Sequence, residues 1–276
     1  MRKKIINDEK KRNMTQYTKQ ETILKAENVS LCYGDRTILH DINFTIKDIV
    51  RPDMTQGQVV SLVGRSGIGK TQLFKLLSGL QSPTTGTISI YDKPVKAGDM
   101  GVIFQNYYLF EWRTVYHSLL LAARQNGALK GKEKETIEEY AAHFDLSEHL
   151  HLYPQQLSGG QRQRASIIQQ LLKGSDFLLL DEPFSGLDVC VLDRVVDLLL
   201  GVSLADELKT LIIVSHDIVT TVAISDTVFI LGTENGKQGS TIKKEIDLIE
   251  RDLAWKKDIK KEKAFLDTVQ EIKSLL

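Results

Sequence analysis

The chain has 276 residues, 42% apolar and 26% charged, and its 36 Lys plus Arg equal its 36 Asp plus Glu. That is enough chain for one large domain with a sub-domain, and the composition is that of a well-packed water-soluble protein. A formal net charge of zero gives no general attraction to nucleic acid or anionic lipid, so no nucleic-acid partner is expected.

Residues 1–20 are mostly charged or polar and read as a loosely attached N-terminal extension without the apolar core of a signal peptide. No apolar run approaches the roughly 20 residues that span a bilayer, so a cytoplasmic chain that does not itself cross a membrane is expected. Cys32 and Cys190 lie far apart in the chain, without histidines at metal-ligand spacing. They read as two reduced, packed thiols. His149 and His151 alternate but have no further ligand nearby, and read as surface residues rather than a metal site.

From Ile23 the pattern changes. Residues 23–33 and 38–46 predict short strands around a turn at Gly34-Asp35, followed by a loop over 50–56. Residues 59–63 are a continuous apolar strand of the kind buried on both faces of a parallel sheet. A glycine-rich turn and a largely buried helix over 71–78 follow it, then a strand over 87–91. Residues 115–172 read as mainly helical, with apolar stripes at Ile137, Tyr140, Ala141 and Phe144 and at Ile167, Ile168, Leu171 and Leu172. Buried strands return at 177–180, 211–214 and 227–231, and Phe265, Val269, Ile272 and Leu276 fall on one face of a final helix. The alternation predicts an α/β fold.

Two motifs carry the first chemistry. Gly64-Arg65-Ser66-Gly67-Ile68-Gly69-Lys70-Thr71 lies between a predicted strand and a predicted helix and fits a phosphate-binding loop. Its glycines let backbone N–H groups turn inward onto phosphate oxygens, aided by the helix dipole. Lys70 reaches the β- and γ-phosphates, and the Thr71 hydroxyl suits a Mg²⁺ ion. In Phe177-Leu178-Leu179-Leu180-Asp181-Glu182-Pro183 two acids end a buried strand, at the edge of a parallel sheet where ligands bind. Asp181 suits a water-mediated Mg²⁺ contact and Glu182 a general base polarising an attacking water.

A third motif, Leu157-Ser158-Gly159-Gly160-Gln161, opens another helix with a serine cap and exposed N–H groups. As a bare pattern it is a capped helix. With the other two, in this order, the sequence resembles an ATP-binding-cassette (ABC) nucleotide-binding domain, and the resemblance spans residues 22–232. Gln105 matches that family's glutamine loop, Ser185-Gly186-Leu187-Asp188 its D-loop, His216 its switch histidine, and Tyr33 the aromatic that stacks on adenine.

The resemblance implies a P-loop NTPase core with a mixed sheet, an ABC-type antiparallel β subdomain and an inserted all-helical subdomain. It gives an ATPase domain over 21–240 with the helical insertion at about 112–170, and a helical tail over 241–276. It implies ATP and Mg²⁺ as cofactors, with Gln105 joining Thr71 and Asp181 at the metal. Two such domains, in a homodimer or with a different ABC subunit, pair head to tail. Ser158, Gly159 and Gly160 then meet the γ-phosphate of the partner's ATP, Asp188 ties the subunits together, and His216 contacts the γ-phosphate. Gln72 departs from the family's usual Ser or Thr, a position that contacts the α-phosphate.

A single cassette resembles an importer subunit docked on separate membrane permeases and served indirectly by an extracytoplasmic solute-binding protein, at the cytoplasmic face of the membrane. Trp112-Arg113-Thr114-Val115 and the tail are similar to the nitrate/sulfonate/taurine branch. The short separation of Lys70 from Ser158, without sustained heptads, disfavours the DNA-acting class. A cytosolic ABC ATPase regulating a ribosome or repair complex is the alternative.

Overall fold

The computed structural model describes residues 18–50, 57–184, 196, 210–254, 256 and 259–276. The segment holding Ser185, Gly186, Leu187 and Asp188 lies outside the described residues, as do Cys190 and most of the expected 50–56 loop.

Strands β1 (Thr18–Tyr33) and β2 (Arg36–Val50) form an antiparallel hairpin about Gly34, whose φ of 56° is the left-handed value that glycine adopts without strain. Both strands run beyond the sequence reading. Thr18 pairs with Val50 and Lys19 with Ile49, but residues 18–21 are exposed. Backbone pairing without a buried face leaves no alternating pattern to read.

β3 (Gln58–Val63) is buried at every residue. It leads through residues 64–69 into α1 (Lys70–Leu77), whose Leu73, Phe74, Leu76 and Leu77 are all at most 1% exposed. β4 (Thr85–Ile90) and the short β5 (Lys93–Pro94) extend the antiparallel layer, and β6 (Gly101–Ile103) leads to the helical insertion. That insertion holds α2 (Val115–Gln125), α3 (Glu133–His143) and α4 (Gly159–Lys173). β7 (Phe177–Asp181), β8 (Thr210–Ser215), α5 (Ile218–Ile224), β9 (Thr227–Thr233), β10 (Ser240–Asp247) and α6 (Lys263–Leu275) complete the described chain.

The strands form one ten-stranded sheet in the order β5-β4-β1-β2-β10-β9-β3-β8-β7-β6. β9, β3, β8, β7 and β6 pair in parallel, whereas β5, β4, β1 and β2 are antiparallel. This is the mixed α/β fold the sequence implies.

Three apolar clusters hold it. One joins α2, α3 and α4 to one face of the parallel strands, with Ile137, Ala141, Phe144, Ile167, Ile168, Leu171 and Leu172 in it. A second encloses α1 between the antiparallel and parallel strands. The third seats Phe265, Val269 and Ile272 of α6 against β9, β10 and α5. Each such side chain contributes about 1.5–3 kcal/mol on burial, so the stripes read from the sequence are the docking faces.

One element departs from the sequence reading. The tail expected to be helical over 241–276 opens with a strand, β10, which pairs antiparallel with β9 and reaches β2 through Ser240 and Leu39. Lys243, Lys244 and Glu245 hide it, because all three are exposed beside a register shift between Ile242 and Lys244 and break the apolar alternation by which strands are recognised.

Candidate active site

Sheet order assembles the site. β3, β8, β7 and β6 are neighbours, and each delivers one expected motif beyond its carboxyl end: the glycine-rich loop after β3, His216 after β8, Glu182 after β7, Gln105 after β6. Register brings the first three level, since Val63 pairs with Ser215 and Asp181 with Val214. The carboxyl edge of parallel strands is where such folds bind ligands.

The loop of residues 64–71 has little freedom to vary. Gly69, at the N-cap of α1, has φ 104°, and a Cβ there would lie 3.0 Å from Leu39. Gly64 has no room either, its added Cβ meeting Ile68 and the Leu231 carbonyl at 3.0 and 3.1 Å. The Ser240 hydroxyl donates to the Ile68 carbonyl at 2.7 Å, so β10 pins the loop from outside. Nothing local in the sequence signals this bond, whose ends are 172 residues apart.

Lys70 is buried, and its ammonium donates to the carbonyls of Gly64 and Arg65 at 3.0 and 3.1 Å. It also lies 3.3 Å from Oε1 of Glu182. The other carboxylate oxygen, Oε2, accepts from the His216 backbone N–H at 3.2 Å and from the Ser215 hydroxyl at 3.3 Å, and lies 2.7 Å from His216 Nδ1. Glu182 itself takes φ 50°, a left-handed conformation costly for a side-chain residue and concentrated at functional sites. Its N–H donates to the Val214 carbonyl at 2.8 Å. Ser215 is the residue the sequence reading missed here, although its place at the end of β8 beside His216 was a usable signal.

Asp181 is buried, and its Oδ1 has no hydrogen-bond partner among the described residues. Burial, then the neighbouring Glu182 charge, push its carboxyl up to about 6, against the opposing pull of Lys70 and Lys75.

A cleft of about 610 Å³ brings together Lys70, Glu182 and His216, with Asp181 buried behind its lining, a size suited to a small-molecule ligand. Lys70, Thr71, Gln72, Gln105, Glu182 and His216 line it, with Ser66, Gly67, Gly69 and Tyr33. Gly64 and Ile68 belong to the same loop, and Arg65 is exposed on it.

Ser158, Gly159 and Gly160 are not part of this lining. They open α4 through a capping box, in which the Ser158 hydroxyl accepts from Gln161 N–H at 3.3 Å and the Gln161 side chain accepts from Ser158 N–H at 2.8 Å. Gly159 is exposed, and a Cβ on it would meet nothing within 4 Å. Gln161 also touches His149, Nε2 to Nε2 at 2.7 Å; His149 is therefore half-buried behind the cap, not the surface residue expected. The buried Gln163 donates to the Pro183 carbonyl at 3.2 Å, tying α4 to the segment that follows Glu182.

Comparison with known proteins gives the family. The ABC transporter family profile matches residues 47–185. NrtD, a nitrate import ATP-binding protein of Synechocystis, is 33% identical over 80% of this chain and 84% of its own length. The chain belongs to the ABC transporter family. It is an ATP-binding subunit of that family, carrying its ATPase domain. SsuB 1 of Rhodococcus jostii, an aliphatic sulfonates import ATP-binding protein, is 34% identical over 74% of this chain and 76% of its own. Among solved structures, cbiO1 of Clostridium perfringens, part of the ABC transporter complex cbiONQ, superposes with a TM-score of 0.68 at 25% identity. The match covers 83% of this chain and 89% of that one.

Proposed function

We propose that the chain hydrolyses MgATP in the cleft of Lys70, Glu182 and His216, and that two cassettes closing on ATP drive alternating access in separate membrane permeases. The observation that carries this reading is the convergence of these three side chains at the carboxyl edge of β3, β7 and β8.

In this mechanism the N–H groups of residues 64–71 and the start of α1 cradle the phosphates. Lys70 exchanges its loop carbonyls and Glu182 for β- and γ-phosphate oxygens. Glu182 polarises the water that attacks in line, and His216 holds the γ-phosphate geometry. The orphaned Oδ1 of buried Asp181 fits a metal or metal-bound water; Thr71 and Gln105 line the cleft, as does Glu182, the residue next to Asp181. These three would hold Mg²⁺, which when bound neutralises phosphate charge. Tyr33, half exposed on the cleft wall, serves as the base platform.

The open N-terminus of α4 and the bare Gly159 support a second role. Ser158, Gly159 and Gly160 close over the γ-phosphate of a partner cassette, which is a second copy or a different ABC subunit, with Asp188 at the joint. For the domain boundaries, a polar extension precedes an ATPase domain with its helical insertion, and because β10 pairs within the sheet the tail begins after Asp247 rather than at residue 241.

For transport, similarity to the nitrate and aliphatic sulfonate import subunits favours an importer of the nitrate/sulfonate/taurine type. The permease choice, and a solute-binding protein outside the membrane, set the solute. Residues 105–114 with the helical insertion form the docking side, where Tyr108 and Trp112 are 66% and 72% exposed. No helix among the described residues is long and apolar enough to cross a membrane. In this reading the permeases cross it and the subunit docks on them from the cytoplasmic face. Affinity purification of the tagged chain from solubilised membranes tests this. A co-purifying multi-span permease is expected; ribosomal or repair proteins in its place would overturn the transport reading and leave the ATPase.

A further inference from the structure

The Tyr33 ring is 52% exposed, and a side chain so placed samples several rotamers unless something beyond packing holds it. Its hydroxyl is held on two sides. It donates to Oε1 of Gln72 at 3.0 Å and accepts from Nε2 of Gln81 at 2.8 Å. Gln72 sits in the first turn of α1, and Gln81 in the turn after it, where its N–H donates to the Lys75 carbonyl of the same helix at 3.2 Å. Both ends of the clamp therefore ride on the helix whose first residues are Lys70 and Thr71.

We infer that Gln72 is a positioning residue for base binding: with Gln81 it locks the Tyr33 ring as a preformed platform for a purine base. This rests on the reading of Tyr33 as the base platform and assigns Gln72 a role at the base. The residue follows Thr71 directly and lines the cleft, and its amide oxygen accepts from the phenol hydroxyl. Preorganising an exposed ring removes an ordering cost that binding would otherwise bear. The clamp thus acts on ligands that carry a base and not on bare phosphates.

The test compares binding of ATP and of inorganic tripolyphosphate by calorimetry, for the full chain and for Tyr33→Ala, Tyr33→Phe, Gln72→Ala and Gln72→Thr. Matched thermal melting of the variants controls for folding. Either Gln72 variant should weaken ATP by about two- to tenfold, the worth of one neutral hydrogen bond; Tyr33→Phe, which loses the bonds to both Gln72 and Gln81, should weaken it at least as much, and all should leave tripolyphosphate unchanged. Because Tyr33→Phe already removes the bond that Gln72→Ala breaks, along with the bond to Gln81, the two combined should cost no more than Tyr33→Phe alone plus experimental error. Equal losses for ATP and tripolyphosphate in Gln72→Ala would overturn the inference and return Gln72 to the phosphates. Additive losses would also overturn it. If Tyr33→Ala weakens ATP while Tyr33→Phe and Gln72→Ala do not, the clamp fails and the platform stands. If Tyr33→Ala leaves ATP binding unchanged, the platform itself fails.

Discussion

Lys70 Nζ lies 3.3 Å from Glu182 Oε1, so the cation of the phosphate loop and the acid beyond β7 hold each other across the cleft. Both are largely shielded from water, with side chains 8% and 14% exposed, and a pair so placed is screened little by salt. In the proposed mechanism phosphate must win Lys70 from this carboxylate. Two residues assigned to binding and to hydrolysis are therefore one electrostatic unit.

Lys70→Ala should weaken ATP at least tenfold, since charge-assisted hydrogen bonds to phosphate are lost and the Glu182 charge stays beside the phosphate site. Calorimetric titration with ATP checks it; an unchanged affinity would remove Lys70 from the phosphate site.

Asp181 links stability to pH. Burial lifts its carboxyl from 3.8 to about 6, so between those values the folded chain holds a proton that the unfolded chain has released. Stability therefore falls as pH rises through that window. Asp181→Asn cannot ionise, so it should melt higher than the parent above about pH 7 and close to it near pH 4, while losing Mg²⁺-dependent ATP affinity. Melting curves at both pH values decide; equal shifts at both would contradict the buried-charge account.

The tail offers the opposite sign. Hydrogen bonds from Arg251 and then Lys244 pull the Glu271 carboxyl down to about 2 from 4.5, anchoring α6 to β10 and to the segment after it. This stabilisation is full above pH 4.5 and is lost as pH falls through about 2. The side chain is 30% exposed, so water and salt screen the gain to about 0.5–1 kcal/mol. Glu271→Gln should lower the melting temperature slightly at neutral pH, less in high salt, with the difference shrinking as pH falls from 4.5 toward 2.

The sequence was most legible where local chemistry and position coincide. Gly64–Thr71 needs its glycines for backbone reasons, and Asp181 and Glu182 end an apolar run, so each motif names its own place in the sheet. The stripes on α3, α4 and α6 were readable because one helical face is buried. What stayed hidden is long-range or one-sided. The Ser240 bond to the loop depends on β10, whose exposed lysines mask a strand. The Gln72–Tyr33 and Gln163–Pro183 bonds join residues whose sequence neighbourhoods say nothing of each other. His149 looked like a surface residue because its contact, Gln161, lies on a different helix.

His216→Ala should cut turnover by about tenfold or more, as the loss of one positioned transition-state contact does, while leaving ATP affinity within a few-fold. Steady-state ATPase assays beside binding titrations separate the two effects. A parallel loss of affinity would make His216 a binding residue instead.

The most direct test of the central claim is light scattering on Glu182→Gln, with and without MgATP, alongside its turnover. The Gln side chain keeps the size of Glu but cannot take a proton from water, and it releases Lys70 to the phosphates. The account predicts ATP bound at least as tightly as in the parent, turnover nearly abolished, and a stable dimer that appears only with ATP. A variant that stays monomeric with ATP bound, or one that hydrolyses ATP at the parental rate, would contradict it.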